Sequence, residues 1–197
     1  MRILFLGYTE SKIPDSLRKL GHSCMIGNPD DRITHQDIAD CGIEQIISFG
    51  YRKILKQDVL DSVKGRAINL HISLLPFGRG SHPLLWANLE NSPTGVTIHV
   101  IDSGVDTGKI ILQRQMELPG TQTLKSGHAV LKQGVEELFI KNMSWIVKGE
   151  GTRTPQLGKS TCHGKADAEK ILTLLPKGWD TTLRFVRHLG VELGLRK

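Results

Sequence analysis

Short apolar runs alternate with helix-like segments along residues 2–70, and this rhythm restricts the fold more than any other feature of the chain. RILFLG (Arg2–Gly7), HSCMI (His22–Ile26), QIISF (Gln45–Phe49) and AINL (Ala67–Leu70) read as strands. Between them, residues 11–20, 30–41 and 54–63 carry helical patterns, the first with Ser11 as its N-cap and Gly21 just past its end. Near-continuous apolar strands separated by helices belong to a parallel sheet covered on both faces. The expected class is α/β, a mostly parallel twisted sheet with helices on both faces. Such sheets bind ligands at the carboxyl ends of their strands.

The rhythm changes after residue 71. LLPFGRGSHP is a loop rich in Gly and Pro, and His82–Asn91 is a short helix starting near Pro83. Two β-rich segments, Thr94–Ile101 and Lys109–Glu117, flank the turn-forming DSGVDTG. Thr123–Lys148 is the longest helical pattern, with Leu131, Val135, Leu138 and Trp145 near one face. A mixed tail follows and ends in a helix from Asp180 to about Leu195. The expected division is a catalytic domain over 1–150 and a short C-terminal extension over 151–197.

Several classes are excluded or disfavoured. At 39% hydrophobic residues the chain can build a core without a disulfide or a metal. No apolar run reaches about 18 residues, so no membrane helix is expected, and MRILFLGYTE ends too soon in Thr-Glu to be a leader. Three cysteines far apart (Cys24, Cys41 and Cys162) point to a reducing cytoplasm. A net charge of +6 favours anionic partners. The positive charge is scattered and aromatics are only 5%, which disfavours nucleic acid.

Chemistry gathers in two segments. In INLHISLLP (68–76), Asn69 and His71 alternate about Leu70 at a strand end, so an amide and an imidazole share one face. Alone, such a pair is far more often a hydrogen-bonded polar strand terminus. GVTIHVIDSGVDTGKIILQ (95–113) holds His99, Asp102 and Asp106 on a strand and its turn, where an Asp is commonly a turn former. His71, His82, His99 and the two aspartates could supply metal ligands, but their spacing matches no compact metal motif, so no metal is expected.

Together, INLHISLLP, FGRG and GVTIHVIDSGVDTGKIILQ resemble the signature of the folate-dependent formyltransferases. That family includes glycinamide ribonucleotide transformylase, methionyl-tRNA formyltransferase and the nucleotide-sugar N-formyltransferases. The resemblance is close over residues 45–118 and architectural over 1–150, and it implies a Rossmann-like sheet. It implies 10-formyltetrahydrofolate as formyl donor and Asn69, His71 and Asp106 as catalytic residues. It places the folate pocket at Gly50, Tyr51, Arg52, Lys53, Ile54 and Leu60, and at Ile101, Asp102, Ser103, Gly104 and Val105. An acceptor amine would attack the formyl carbon directly. Asn69 and His71 would stabilise the oxyanion of the tetrahedral intermediate, and Asp106 would orient the imidazole.

Three acceptor classes follow from the resemblance. The purine-pathway enzyme has a Gly- and Ser-rich phosphate loop after its first strand, where this chain reads FLGYTESKIP. The tRNA enzyme has a second, basic domain, for which the tail after residue 150 is expected to be too short. FGRGSHPLLWA is similar to the substrate loop of the sugar enzymes, so the expected acceptor is a nucleotide-linked amino sugar of the 4-amino-4,6-dideoxyhexose type. Arg79, Gly80, His82 and Trp86 are its candidate contacts. A homodimer is compatible with this reading. The rivals are a formyltetrahydrofolate hydrolase and a non-catalytic folate-binding module.

Overall fold

A computed structural model describes residues 1–195; Arg196 and Lys197, at the end of the expected extension, lie outside the described residues. The chain runs β1 (Arg2–Gly7), α1 (Ile13–Lys19), β2 (Ser23–Gly27), α2 (His35–Asp40), β3 (Gln45–Phe49), α3 (Gln57–Ser62) and β4 (Ala67–His71). It continues through β5 (Arg79–Gly80), α4 (Pro83–Glu90), β6 (Gly95–Val100), β7 (Ile110–Gln115) and α5 (Leu124–Ile146). The remainder is β8 (Cys162–His163), α6 (Lys165–Leu172), a 3₁₀ turn (Gly178–Asp180) and α7 (Leu183–Glu192).

Six strands form one sheet in the order β2-β1-β3-β4-β6-β7. β1 pairs in parallel with β2 and β3, and β3 pairs in parallel with β4, with Ser48 opposite Asn69. All five residues of β3 are buried, so both faces of the sheet are covered there, as its unbroken apolar run requires. β6 and β7 run in opposite senses: Val100 N–H donates to Lys109 C=O at 2.9 Å, and Met116 N–H to Thr94 C=O at 3.0 Å. The sheet is thus mixed but mostly parallel, the expected class.

Two compact units share the chain. The first comprises Met1–His71, Ile98–Leu112 and Val135–Pro155. Its core includes Leu4, Leu6, Ile38, Ile46, Val59, Leu60 and Ala67. Thr34 caps α2 reciprocally with Asp37, each side chain bonding the other residue's backbone N–H. The second unit comprises Ile72–Thr97, Gln113–Gly134 and the chain from Gln156 onward. There β5 pairs with β8, placing Arg79 opposite Cys162 and Gly80 opposite His163. A Cβ on Gly80 would lie 2.4 Å from the His163 carbonyl oxygen, so this close pairing requires glycine.

Local details depart from the sequence reading. α1 is capped by Lys12 instead of Ser11, whose hydroxyl accepts from Ile13 N–H at 3.2 Å and bonds Glu136 at 2.5 Å. On α5 Leu124, Leu131, Val135, Phe139 and Ile146 are buried, whereas Leu138 and Trp145 are half-buried. The expected stripe thus holds at Leu131 and Val135 and is shifted by one residue in its later half.

Candidate active site

β4 ends at His71, and its alternation sets Asn69 and His71 on one face as the sequence requires. β6 carries His99 next to β4 in the sheet, and the loop after it brings Asp106 to the same place. Asp106 has φ 51°, a left-handed backbone that L-residues other than Asn and Asp rarely adopt. Two residues on, a Cβ at Gly108 would sit 1.7 Å from the Val100 carbonyl oxygen, so the loop turns against β6 only because Gly108 has no side chain. Asp102 holds the loop from within: its Oδ1 accepts from Gly104 N–H at 3.1 Å and from the Thr107 hydroxyl at 2.5 Å.

Four polar side chains converge in the first unit. Asp106 Oδ1 accepts from Asn69 Nδ2 at 3.3 Å and lies 3.4 Å from His99 Nε2. Asp106 Oδ2 is 3.8 Å from His71 Nδ1, close enough for charge coupling but too long for a hydrogen bond. His71 and His99 are 8% and 2% exposed, and their rings stand edge to face with centroids 6.1 Å apart. His99 Nδ1 lies 2.8 Å from the Val100 carbonyl oxygen, which can only accept, so the proton sits on Nδ1. In neutral His99, Nε2 then carries the lone pair that accepts from Asn69 Nδ2 at 3.3 Å. The amide of Asn69 is therefore oriented by two acceptors.

The family resemblance joined Asp106 to Asn69 and His71, and the sequence gave His99 no role beyond a weighed metal ligand. Its signal was present: a histidine in a strand of mostly apolar residues is buried and so needs partners. Among the described residues, no group of three or more His, Cys, Asp or Glu is placed to hold a metal ion, and no helix is long and apolar enough to cross a membrane.

The folate-pocket candidates also lie in the first unit. Tyr51 and Ile101 pack on the core cluster that contains Leu60, which is only 4% exposed and is a core side chain. The Tyr51 hydroxyl donates to Asp31 C=O at 2.7 Å, and Arg52 faces Asp30 at 3.3 Å. Burial pushes the Tyr51 hydroxyl pKa up. Gly50 follows β3 with φ 81°. Ile54 and Val105 leave 75% and 47% of their apolar surface exposed, while Lys53, Asp102, Ser103 and Gly104 are exposed loop residues.

The acceptor candidates belong to the second unit. Arg79 Nε and Nη2 both donate to Gln156 Oε1, at 3.1 and 2.8 Å. Gly80 pairs with His163. His82, at φ 55°, caps α4, and its Nδ1 is 2.6 Å from the Ser81 hydroxyl. Trp86 is 5% exposed and stacked on the His163 ring at 3.7 Å, and His163 Nε2 is 2.7 Å from Glu90. Gln156 and His163 were not foreseen, because nothing local marks a side chain whose partner lies far along the chain.

Known proteins similar to this chain fall in one family. The sequence model described as "Formyl transferase" matches residues 28–142. The formyltransferase PseJ from Anoxybacillus kamchatkensis, solved with UDP-4,6-dideoxy-4-formamido-L-AltNAc and tetrahydrofolate, is 39% identical with a TM-score of 0.88. The match covers 94% of this chain and 97% of that one. A sugar N-formyltransferase-like protein from Mycobacterium tuberculosis has the same fold at 21% identity and a TM-score of 0.77, over 87% of this chain and 78% of that one. The methionyl-tRNA formyltransferase of Thermodesulfovibrio yellowstonii is 38% identical over 74% of this chain and 46% of its own length. This chain spans about half the length of the curated relatives it matches.

Proposed function

Because the chain belongs to the formyl transferase family, we propose that it moves the formyl group of 10-formyltetrahydrofolate onto the 4-amino group of a UDP-linked 4-amino-4,6-dideoxy sugar. The acceptor class rests on one observation, the likeness to PseJ and its UDP-4-formamido sugar over nearly the whole of both chains. The three free thiols suit a cytoplasmic setting.

The Asn69–His71–His99–Asp106 cluster supports a direct route for formyl transfer. The acceptor amine attacks the formyl carbon, and the carbonyl π electrons move to oxygen. Asn69 Nδ2 keeps one N–H on Asp106 Oδ1 and gives up its contact with His99 Nε2 to donate the other to that oxyanion. His71 takes the proton from the attacking nitrogen through Nε2, the ring atom turned away from Asp106, and returns it to the folate nitrogen as the C–N bond breaks. The Asp106 charge supports the imidazolium in between. No protein nucleophile is required, because the amine is the nucleophile.

Residues 28–142 are also shared with the family at large, and the match to methionyl-tRNA formyltransferase keeps charged initiator tRNA as a second acceptor to test. The experiment offers both acceptors with 10-formyltetrahydrofolate and follows tetrahydrofolate release and acceptor mass at two salt concentrations. The sugar nucleotide should gain one formyl group with little salt dependence. Transfer to tRNA alone, falling steeply with salt as phosphate contacts are screened, would replace this reading with the other.

A further inference from the structure

Trp179 lies in the 3₁₀ turn ahead of α7, in the tail to which the resemblance assigned no role. Its indole is 37% exposed, while Trp86 is 5% exposed. A single exposed aromatic is ordinary; what surrounds this one is not. The His82 ring lies 5.6 Å from it at a 42° tilt, and the His128 ring lies 5.6 Å from it at 87°. The three rings come from three separate segments of the second unit: the loop before α4, the start of α5 and the turn before α7. In a chain with 5% aromatic residues, such a meeting is built, not incidental.

The supports are firm. His82 is held in a left-handed backbone at φ 55° and bonded to the Ser81 hydroxyl at 2.6 Å; such a backbone costs energy and persists where surroundings impose it. Burial lowers the pKa of both His82 and His128, so both imidazoles favour the neutral form. A ring-lined wall with one open indole suits stacking by a flat heteroaromatic ring, with Lys132, Lys165 and Glu169 within electrostatic reach of its histidines. His82 also lies three residues after Arg79, whose guanidinium Gln156 orients. Three extended residues reach at most about 10 Å, on the scale of the ribose that separates a base from its diphosphate.

We propose that Trp179, backed by His82 and His128, is the platform on which the nucleobase of the acceptor stacks, with Arg79 toward the diphosphate. This rests on the nucleotide-sugar reading above and adds to it the element that reads the base.

The test measures binding of UDP, inorganic pyrophosphate and tetrahydrofolate to the wild type, Trp179→Ala and Trp179→Phe by calorimetry. Removing a stacking ring weakens base binding by roughly 5- to 150-fold. Trp179→Ala should weaken UDP about tenfold or more and leave pyrophosphate and tetrahydrofolate within about twofold, which also reports an intact fold. Trp179→Phe should recover most of the loss. Unchanged UDP binding in Trp179→Ala, or equal weakening of UDP and pyrophosphate, overturns the platform while leaving the acceptor class standing. A wild type that binds tetrahydrofolate but no UDP overturns both.

Discussion

Asp106→Asn isolates the charge of the carboxylate from its shape. Asn tolerates the left-handed backbone that Asp106 adopts at φ 51°, so the loop should keep its course. The amide oxygen can still accept from Asn69 Nδ2, at 3.3 Å in the native protein. The negative charge facing His71 Nδ1 across 3.8 Å is what disappears. At that distance and an effective dielectric of about 20, the attraction between a carboxylate and an imidazolium is about 4 kcal/mol. With each 1.4 kcal/mol worth about tenfold in rate, the ceiling on the loss is about a thousandfold. The two side chains are 9% and 15% exposed, so water screens the pair only in part and a loss of about 10²–10³ in kcat is expected. The assay follows tetrahydrofolate release with saturating donor and acceptor, alongside thermal unfolding of both proteins. The melting temperature should stay within a few degrees, because no buried volume is removed. A folded Asp106→Asn enzyme whose kcat lies within tenfold of the wild type, or whose only change is in KM, would refute the role assigned to the carboxylate.

Two further perturbations address the frame around the site. Gly108→Ala places a Cβ 1.7 Å from the Val100 carbonyl oxygen, so the loop must move or the protein must lose roughly 3 kcal/mol or more; native-like stability with full turnover, read by thermal melting and the release assay, would contradict it. Burial lowers the pKa of His22, His82 and His128 from the ordinary value of about 6.5. Below that value the unfolded chain binds more protons than the folded one, so stability is complete above about pH 6.5 and declines as pH falls. Melting temperatures from about pH 7.5 to 5.5 should fall, and the fall should be shallower in His128→Gln; identical slopes would remove His128 from the account.

What the sequence showed and what it hid divide along physical lines. β1, β3 and β4 are strands buried on both sides, and unbroken apolar runs such as QIISF have few other uses. The pairing of Asn69 with His71 followed from alternation alone. The distances from Asp106 to either residue did not, because they depend on a left-handed turn and on a glycine pressed against β6. His99 lay in plain view, yet its partners come from β4 and from that loop. β5 and β8 are two residues each, too short to carry any periodicity, and each is a strand only because the other is present. The exact cap of α1 and the later half of the buried stripe of α5 shifted by a single residue, the ordinary scale at which tertiary contacts overrule local pattern.

The β5–β8 pairing bears on how acceptor preference could be exchanged between relatives. Arg79 takes its orientation from Gln156, Gly80 its backbone partner from His163, and Trp86 its stacking face from that same histidine. The stretch after β4 and the stretch after residue 155 therefore behave as one inheritable cassette split across the gene. A chimera that imports a foreign 76–86 segment alone would receive its guanidinium unaimed and its glycine facing a stranger's carbonyl. On the proposed assignment, specificity should travel only when both halves are transplanted together, with Asn69, His71, His99 and Asp106 left in place.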